Sequence, residues 1–228
     1  MSEIIRTKDV CREFDKKGEI IHALKNVNIS IEQGTFNILS GRSGSGKTTL
    51  LNLLSAIDIP TSGNIYYNEA DITLLSEKKR DELRRLQMGL VFQSTALVSL
   101  MSALENMEYA LSIAGSPRLG RKKLAISWLE RMGIKDRRNH MPAEMSGGEQ
   151  QRVAIARAIA HCPKILFADE PTAELDTKTS FKIVNMFKEL IKQNGVTIIM
   201  TTHDVNIMDV ADKIYTLEDG EITNEHKN

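Results

Sequence analysis

At 228 residues, with 30 Lys plus Arg against 30 Asp plus Glu, the chain is long enough for one substantial α/β core with a smaller inserted subdomain and short for two independent domains. Its zero formal net charge, without a long block of one sign, argues against a general nucleic-acid binder, which ordinarily carries a basic excess. No stretch approaches the roughly 20 apolar residues that span a bilayer, and Met1-Ser2-Glu3 opens an acidic, non-signal segment, so a soluble chain is expected whose membrane role, if any, comes through a partner. Cys11 and Cys162 fit no metal or redox spacing and read as buried thiols of a reducing compartment.

In chain order, alternation at Val27-Asn28-Ile29-Ser30-Ile31 predicts a strand, and Glu32-Gln33-Gly34 a turn into a second strand, Phe36 to Ser40. A helix is expected from Thr48 to Leu54, then a turn at Pro60-Thr61-Ser62-Gly63 into a short strand pair around Ile65-Tyr66-Tyr67. Leu90-Val91-Phe92, Ile165 to Ala168 and Val196 to Met200 are continuous apolar runs, as suits strands covered on both faces of a parallel sheet. From about Thr95 to Arg152 no such run occurs. Ala125, Trp128, Leu129 and Met132 instead share a helical face that Gly133 ends, which predicts an inserted helical subdomain. A helix from Glu149 to Ala160 is closed by Pro163, and one from Phe181 to Gln193 by Asn194-Gly195. The basic clusters Lys78-Lys79-Arg80, Arg84-Arg85 and Arg118 to Lys123 are interrupted by acidic or apolar residues and read as solvated helix faces.

Three motifs carry chemistry. Gly41-Arg42-Ser43-Gly44-Ser45-Gly46-Lys47-Thr48 joins a strand to a helix: its glycines let backbone N–H groups close around phosphates, Lys47 adds a cation at the β/γ-phosphates, and Thr48 offers a hydroxyl to Mg²⁺. Thr49 belongs to the same cofactor-binding set. The strand Ile165 to Ala168 ends in Asp169-Glu170, which places a metal-holding carboxylate and a candidate general base at the carboxyl edge of the sheet. Ser146-Gly147-Gly148-Glu149 opens a helix whose free N–H groups attract an anion.

This combination resembles the ABC-type ATPases, and the likeness runs from Phe14 through His203. It implies an α/β fold of the P-loop NTPase (RecA-like) kind: a parallel sheet core with an N-terminal antiparallel β subdomain, formed by residues 1–93 and 163–228, and a helical subdomain over 94–162. It further implies ATP and Mg²⁺ as ligands, with Thr48, Gln93 and Asp169 at the metal, Glu170 polarising water, and His203 holding base and γ-phosphate in line. Phe14 stands where relatives stack an aromatic ring on adenine, and Asp176 at the key place of the D-loop Ala173-Glu174-Leu175-Asp176. Arg42 replaces a proline common in relatives, Met145 a leucine and Glu149 a glutamine; the last either puts a negative charge near a docking triphosphate or, sitting on the helix N-terminus, points away from it. In the family the signature Ser146 to Gly148 faces the phosphate loop of a second subunit, so an ATP-dependent head-to-tail homodimer with two working sites is expected.

Leu24-Lys25-Asn26-Val27, Ile59 to Gly63, Val91-Phe92-Gln93 and Ala103 to Asn106 look most like the lipoprotein-releasing and macrolide-export group, whose ATPases drive a membrane permease. That implies a peripheral location on the cytoplasmic face, with the apolar Ala96 to Met101 receiving a permease helix or, alternatively, filling the helical subdomain. The same machinery would also serve a clamp that signals through a membrane protein without moving cargo. A soluble relative acting on DNA or ribosomes ordinarily needs a coiled-coil insertion or tandem cassettes, which 228 residues do not hold; nucleic acid is not an expected partner.

Overall fold

The computed structural model describes residues 2–227. Strands β1 (Glu3–Lys16), β2 (Glu19–Val27) and β3 (Ser30–Glu32) lead to β4 (Phe36–Ser40) and, after the glycine-rich loop, helix α1 (Lys47–Leu54). Strands β5 (Ser62–Tyr67) and β6 (Ala70–Asp71) then complete an antiparallel sheet in the order β2-β1-β5-β6, with β3 also pairing β1. Next come α2 (Glu77–Gln87), β7 (Met88–Val91), α3 (Ala103–Ile113), α4 (Arg118–Arg131), α5 (Gly147–Ile159), β8 (Ile165–Asp169), α6 (Thr177–Asn194), β9 (Thr197–Thr201), α7 (Val205–Met208), β10 (Lys213–Glu218) and β11 (Glu221–Lys227). The second sheet runs β11-β10-β4-β9-β8-β7 and is parallel except for the β10–β11 hairpin.

Every residue of β4, β8 and β9 is buried; for β8 and β9 this is the burial their apolar runs predict, while β4 also buries the polar Asn37 and Ser40. On one side α1 drives Leu50, Leu53 and Leu54 into a core shared with Ile5 and Val10 of β1 and Tyr215 of β10. On the other, Trp128 and Leu129 of α4, Met107 of α3, Val153 and Ile155 of α5 and Phe187 of α6 form a second core against β8 and β9. Between β7 and β8 the described residues form helices and turns and no strand. α3 is fastened there by a capping box: Ser102 N–H donates to Glu105 Oε2 at 2.8 Å, while Glu105 N–H donates back to Ser102 Oγ. α6 ends at Gly195 in the left-handed conformation, the stop expected from Asn194-Gly195.

Four expectations need correction. The alternating run Val27 to Ile31 is not one strand: Asn26 has φ 48° and the Asn28 amide donates to Asn26 O, so the chain breaks and β2 and β3 pair different stretches of β1. The basic face of α2 is only partly solvated, because Arg80 is buried beside Glu77 and Arg84 donates to Ala56 O and Glu77. Neither cysteine is fully buried: Cys162 is exposed, and Cys11 is half-buried with Asn26 N–H donating to its Sγ. The β10–β11 hairpin lies beyond the last predicted strand. Among the described residues no helix is long and apolar enough to cross a membrane.

Candidate active site

The loop between β4 and α1 forms one wall of a cavity of about 440 Å³. Ser43, Gly44, Gly46, Lys47, Thr48 and Thr49 line it, while Gly41, Arg42 and Ser45 do not. Lys47 Nζ folds back to donate to Gly41 O at 2.8 Å and Arg42 O at 2.9 Å, so those backbone oxygens hold the ammonium at the loop's centre. Ser45 is buried and its Oγ has no hydrogen-bond partner.

Behind Lys47, Thr48 Oγ1 donates to Asp169 Oδ2 at 2.9 Å, joining the first turn of α1 to the carboxyl end of β8. Thr201, at the end of β9, donates through its hydroxyl to Asp169 Oδ1 at 2.6 Å and accepts the Glu170 N–H at 2.8 Å. One hydroxyl thus orients both acidic residues. Glu170 holds a positive φ of 43°, a conformation a non-glycine residue keeps only when its surroundings enforce it, and it lines the cavity beside Gln93. His203 Nδ1 stands 3.8 Å from Glu170 Oε1, with its ring 76% exposed against 24% for the glutamate. That separation is an approach rather than a hydrogen bond. The hydroxyl of Thr48 and the carboxylate of Asp169 make an all-oxygen donor pair, which fits a hard ion such as Mg²⁺ that takes one or two protein oxygens and otherwise keeps water and phosphate.

The remaining walls come from residues that sequence reasoning missed. Ile21, His22, Ala23 and Lys25 of β2 and Asp219-Gly220 of the last hairpin turn close the cavity. His22 Nδ1 is 3.0 Å from Glu13 Oε1. The hairpin is bound on both sides: Gly220 N–H donates to Ser45 O and Lys25 N–H to Gly220 O. A β-carbon on Gly220, whose φ is +84°, would come within 2.8 Å of Ala23 O, so the approach requires glycine. Asp-Gly between alternating residues is a hairpin signal that would have found this turn; nothing local ties β2 to the cavity. Phe14, expected at the adenine, does not line the cavity: its ring is 40% exposed and carries the Arg12 guanidinium at 4.5 Å over one face.

No signature residue lines this cavity either. Ser146 caps α5, its Oγ accepting the Glu149 N–H. Glu149 Oε2 accepts the Ser146 N–H at 2.9 Å, and Oε1 accepts from Arg137 Nε at 2.9 Å. The Ser146 amide, followed by Arg137, holds this carboxyl below the ordinary glutamate range. Glu149 therefore turns back along the loop with its charge matched by Arg137. Gly148 lies tight against the D-loop, where a β-carbon would stand 3.1 Å from Glu174 O. Asp176 caps α6; Thr179, mainly through its hydroxyl and also its N–H, holds the Asp176 carboxyl below its usual range.

A phosphate loop, paired acidic residues ending a buried strand, and a separate capped Ser-Gly-Gly turn are now placed in one fold. Residues 24–173 match the ABC transporter family, and an uncharacterized ABC transporter ATP-binding protein of Methanocaldococcus jannaschii is 44% identical over 96% of this chain and 97% of its own. The chain belongs to the ABC transporter family. This ABC protein is also 41% identical to the lipoprotein-releasing system ATP-binding protein LolD of Syntrophus aciditrophicus, over 96% of this chain and 98% of that one. A solved dimeric structure of the ATP-binding cassette MJ0796 of M. jannaschii, in a post-hydrolysis state bound to ADP and Pi, superposes with a TM-score of 0.94 at 40% identity, covering 98% of both chains. The ABC fold is thereby established. So is the class of activity: this is an ABC transporter ATP-binding subunit, an ATPase that binds ATP.

Proposed function

We propose that two copies of this ABC ATPase pair head to tail around two ATP molecules and so drive a membrane permease of the lipoprotein-releasing and macrolide-export kind. The observation that carries this reading is the separation of the two half-sites: the cavity around Lys47 contains no residue of the Ser146 turn, although that turn presents a capped helix N-terminus suited to an anion. The dimer of the MJ0796 cassette supports the arrangement. A γ-phosphate held by Lys47 in one chain would then be gripped by Ser146, Gly147 and Gly148 of the other, with Asp176 of each D-loop between the sites.

Within one site, backbone amides of Gly44 to Lys47 bind the phosphates, and Lys47 neutralises charge at the β/γ bridge. Thr48, Asp169 and Gln93 would hold Mg²⁺, which supplies further neutralisation of the triphosphate. Glu170 takes a proton from the attacking water, and His203 keeps Glu170 and the γ-phosphate aligned. Thr201 is a positioning residue for this base, since it fixes the Glu170 backbone. Although Phe14 lies outside the cavity lining, it is 40% exposed with Arg12 over one ring face, and would serve adenine by stacking.

For the permease, residues 95–102 offer a fastened surface. Arg157 donates to Thr95 O and Ala96 O, and Asn106 to Val98 O and Met101 O. Leu97 packs against the helical core, whereas Leu100 is 84% exposed. This gives a rigid loop with an apolar side chain outward, as helix docking requires. The work is done at the cytoplasmic face of the membrane.

The test is Glu170→Gln, which removes the base and keeps the binding contacts. ATP turnover falls by about 10²–10⁴, and gel filtration with ATP shows a trapped dimer. A variant that stays monomeric while still binding ATP sinks the head-to-tail reading.

A further inference from the structure

A second cavity, of about 420 Å³, lies between the helical segment and α6 and shares no residue with the nucleotide cavity. Its size falls within the range of about 300–1,000 Å³ for small-molecule sites. Arg131 at the end of α4, Arg152 on α5 and Lys182 on α6 line it, against a single carboxylate, Glu189. Three cations against one anion leave a local formal charge of +2 in a chain whose net charge is zero. Like charges gathered in this way repel one another, and the fold does not relieve them. Among the described residues none of the three cations makes an ion pair or hydrogen bond; Arg131 has only the face of the Trp128 ring at 4.6 Å.

Arg152 is the most telling of them, because its Nε is buried and without a partner. A buried charged donor is costly to leave unmet, and native structures ordinarily satisfy it. Met132, Ile183 and Met186 give the cavity an apolar stretch of wall, beside the polar side chains of Thr179 and Asn185. Cations beside an apolar surface select a ligand that is anionic at one end only.

We propose that this cavity is a binding site for a small organic anion, a phosphate or carboxylate group on an apolar body. The Arg152 guanidinium, which lines the cavity, donates to the anionic group, Arg131 and Lys182 flank it, and the methionines receive the body. Because the walls belong to both the helical segment and α6, whose N-cap is Asp176, an occupant ties these two parts of the molecule together.

The experiment is an NMR titration of the ¹⁵N-labelled full chain in excess Mg-ADP, so that the phosphate loop is filled, with monobutyl phosphate, hexanoate and inorganic phosphate as probes. The Arg152 Nε–H resonance should move with one of the two organic anions and saturate with a Kd of about 1 mM or tighter, more tightly than with inorganic phosphate. Reversing the flanking charges, Arg131→Glu with Lys182→Glu, should weaken that probe about tenfold or more and leave ADP affinity unchanged. No saturable shift with either organic anion, equal affinity for inorganic phosphate, or a shift indifferent to charge reversal would each overturn the proposal.

Discussion

Around Lys47 the chain supplies the walls of a cavity: the loop itself, β2, the Asp219-Gly220 turn and the acidic end of β8. Around Ser146 it supplies a cap, a pair of glycines and a charge-matched glutamate, and that turn takes no part in the nucleotide cavity. On the proposed reading, the first region is a binding site that one chain makes for itself, and the second is a surface that a second chain's nucleotide completes. Substitutions in the two regions should therefore separate nucleotide binding from assembly.

The largest effect is expected from Lys47→Ala. It removes the cation at the phosphates, and charge-assisted hydrogen bonds of about 1.5–3 kcal/mol correspond to a loss of about 10- to 100-fold in ATP affinity. Calorimetric titration checks it, and unchanged affinity would overturn the assignment of the cavity. Gly220→Ala attacks the same region from the other wall. A left-handed φ and a 2.8 Å approach to Ala23 O predict a loss of about 1–3 kcal/mol of stability, read as a fall in Tm of about 2–4 °C per kcal/mol. A variant with the Tm of the parent would show that the hairpin is not held as described.

Ser146→Ala breaks the other region. Loss of the N-cap costs about 1 kcal/mol, yet ATP binding by the single chain should be unchanged, since Ser146 lies outside that cavity. Placed on the Glu170→Gln background, it should abolish the ATP-dependent dimer on gel filtration. A drop in single-chain ATP affinity equal to that of Lys47→Ala would erase the distinction between the two regions.

The same contrast governs what could be read from the sequence. Glycine spacing before Lys47, the apolar strand before Asp169-Glu170 and the Ser-Gly-Gly turn are local patterns, and a local pattern carries its own geometry: β4, β8, α1 and α5 follow from them. Thr201 escaped notice because its role comes from two hydrogen bonds to residues 31 and 32 positions away, which no window along the chain contains. His22 and Lys25 reach the cavity only because β2 folds over the phosphate loop. For Glu149 the charge is legible but its direction is not: Arg137, 12 residues earlier, has to be seen beside it. The β10–β11 hairpin differs from these, since its Asp219-Gly220 turn was legible and its neighbour Leu217 is buried on β10.

The smallest effect is expected from Glu149→Gln. A neutral glutamine keeps an oxygen for the Ser146 N–H and so preserves most of the cap, while losing the ion pair to Arg137, a half-exposed contact of the kind worth about 0–1 kcal/mol. Had the carboxylate pointed at the partner's phosphate, removing its charge would tighten the ATP-dependent dimer strongly; because Arg137 already balances it, the dimer constant should change by less than about threefold. Arg137→Ala is the sharper probe, for it strips away the counter-charge and should weaken dimerisation more than Glu149→Gln alters it. The pH dependence has a fixed sign. Since the folded Glu149 carboxyl sits below its ordinary value, its contribution to the cap is complete above the ordinary glutamate pKa of about 4.3 and fades as pH falls through the lowered one. Acid titration of Tm should therefore show a slightly shallower decline in Glu149→Gln than in the parent. Identical acid profiles together with a strongly tightened dimer would return the carboxylate to the face of the nucleotide.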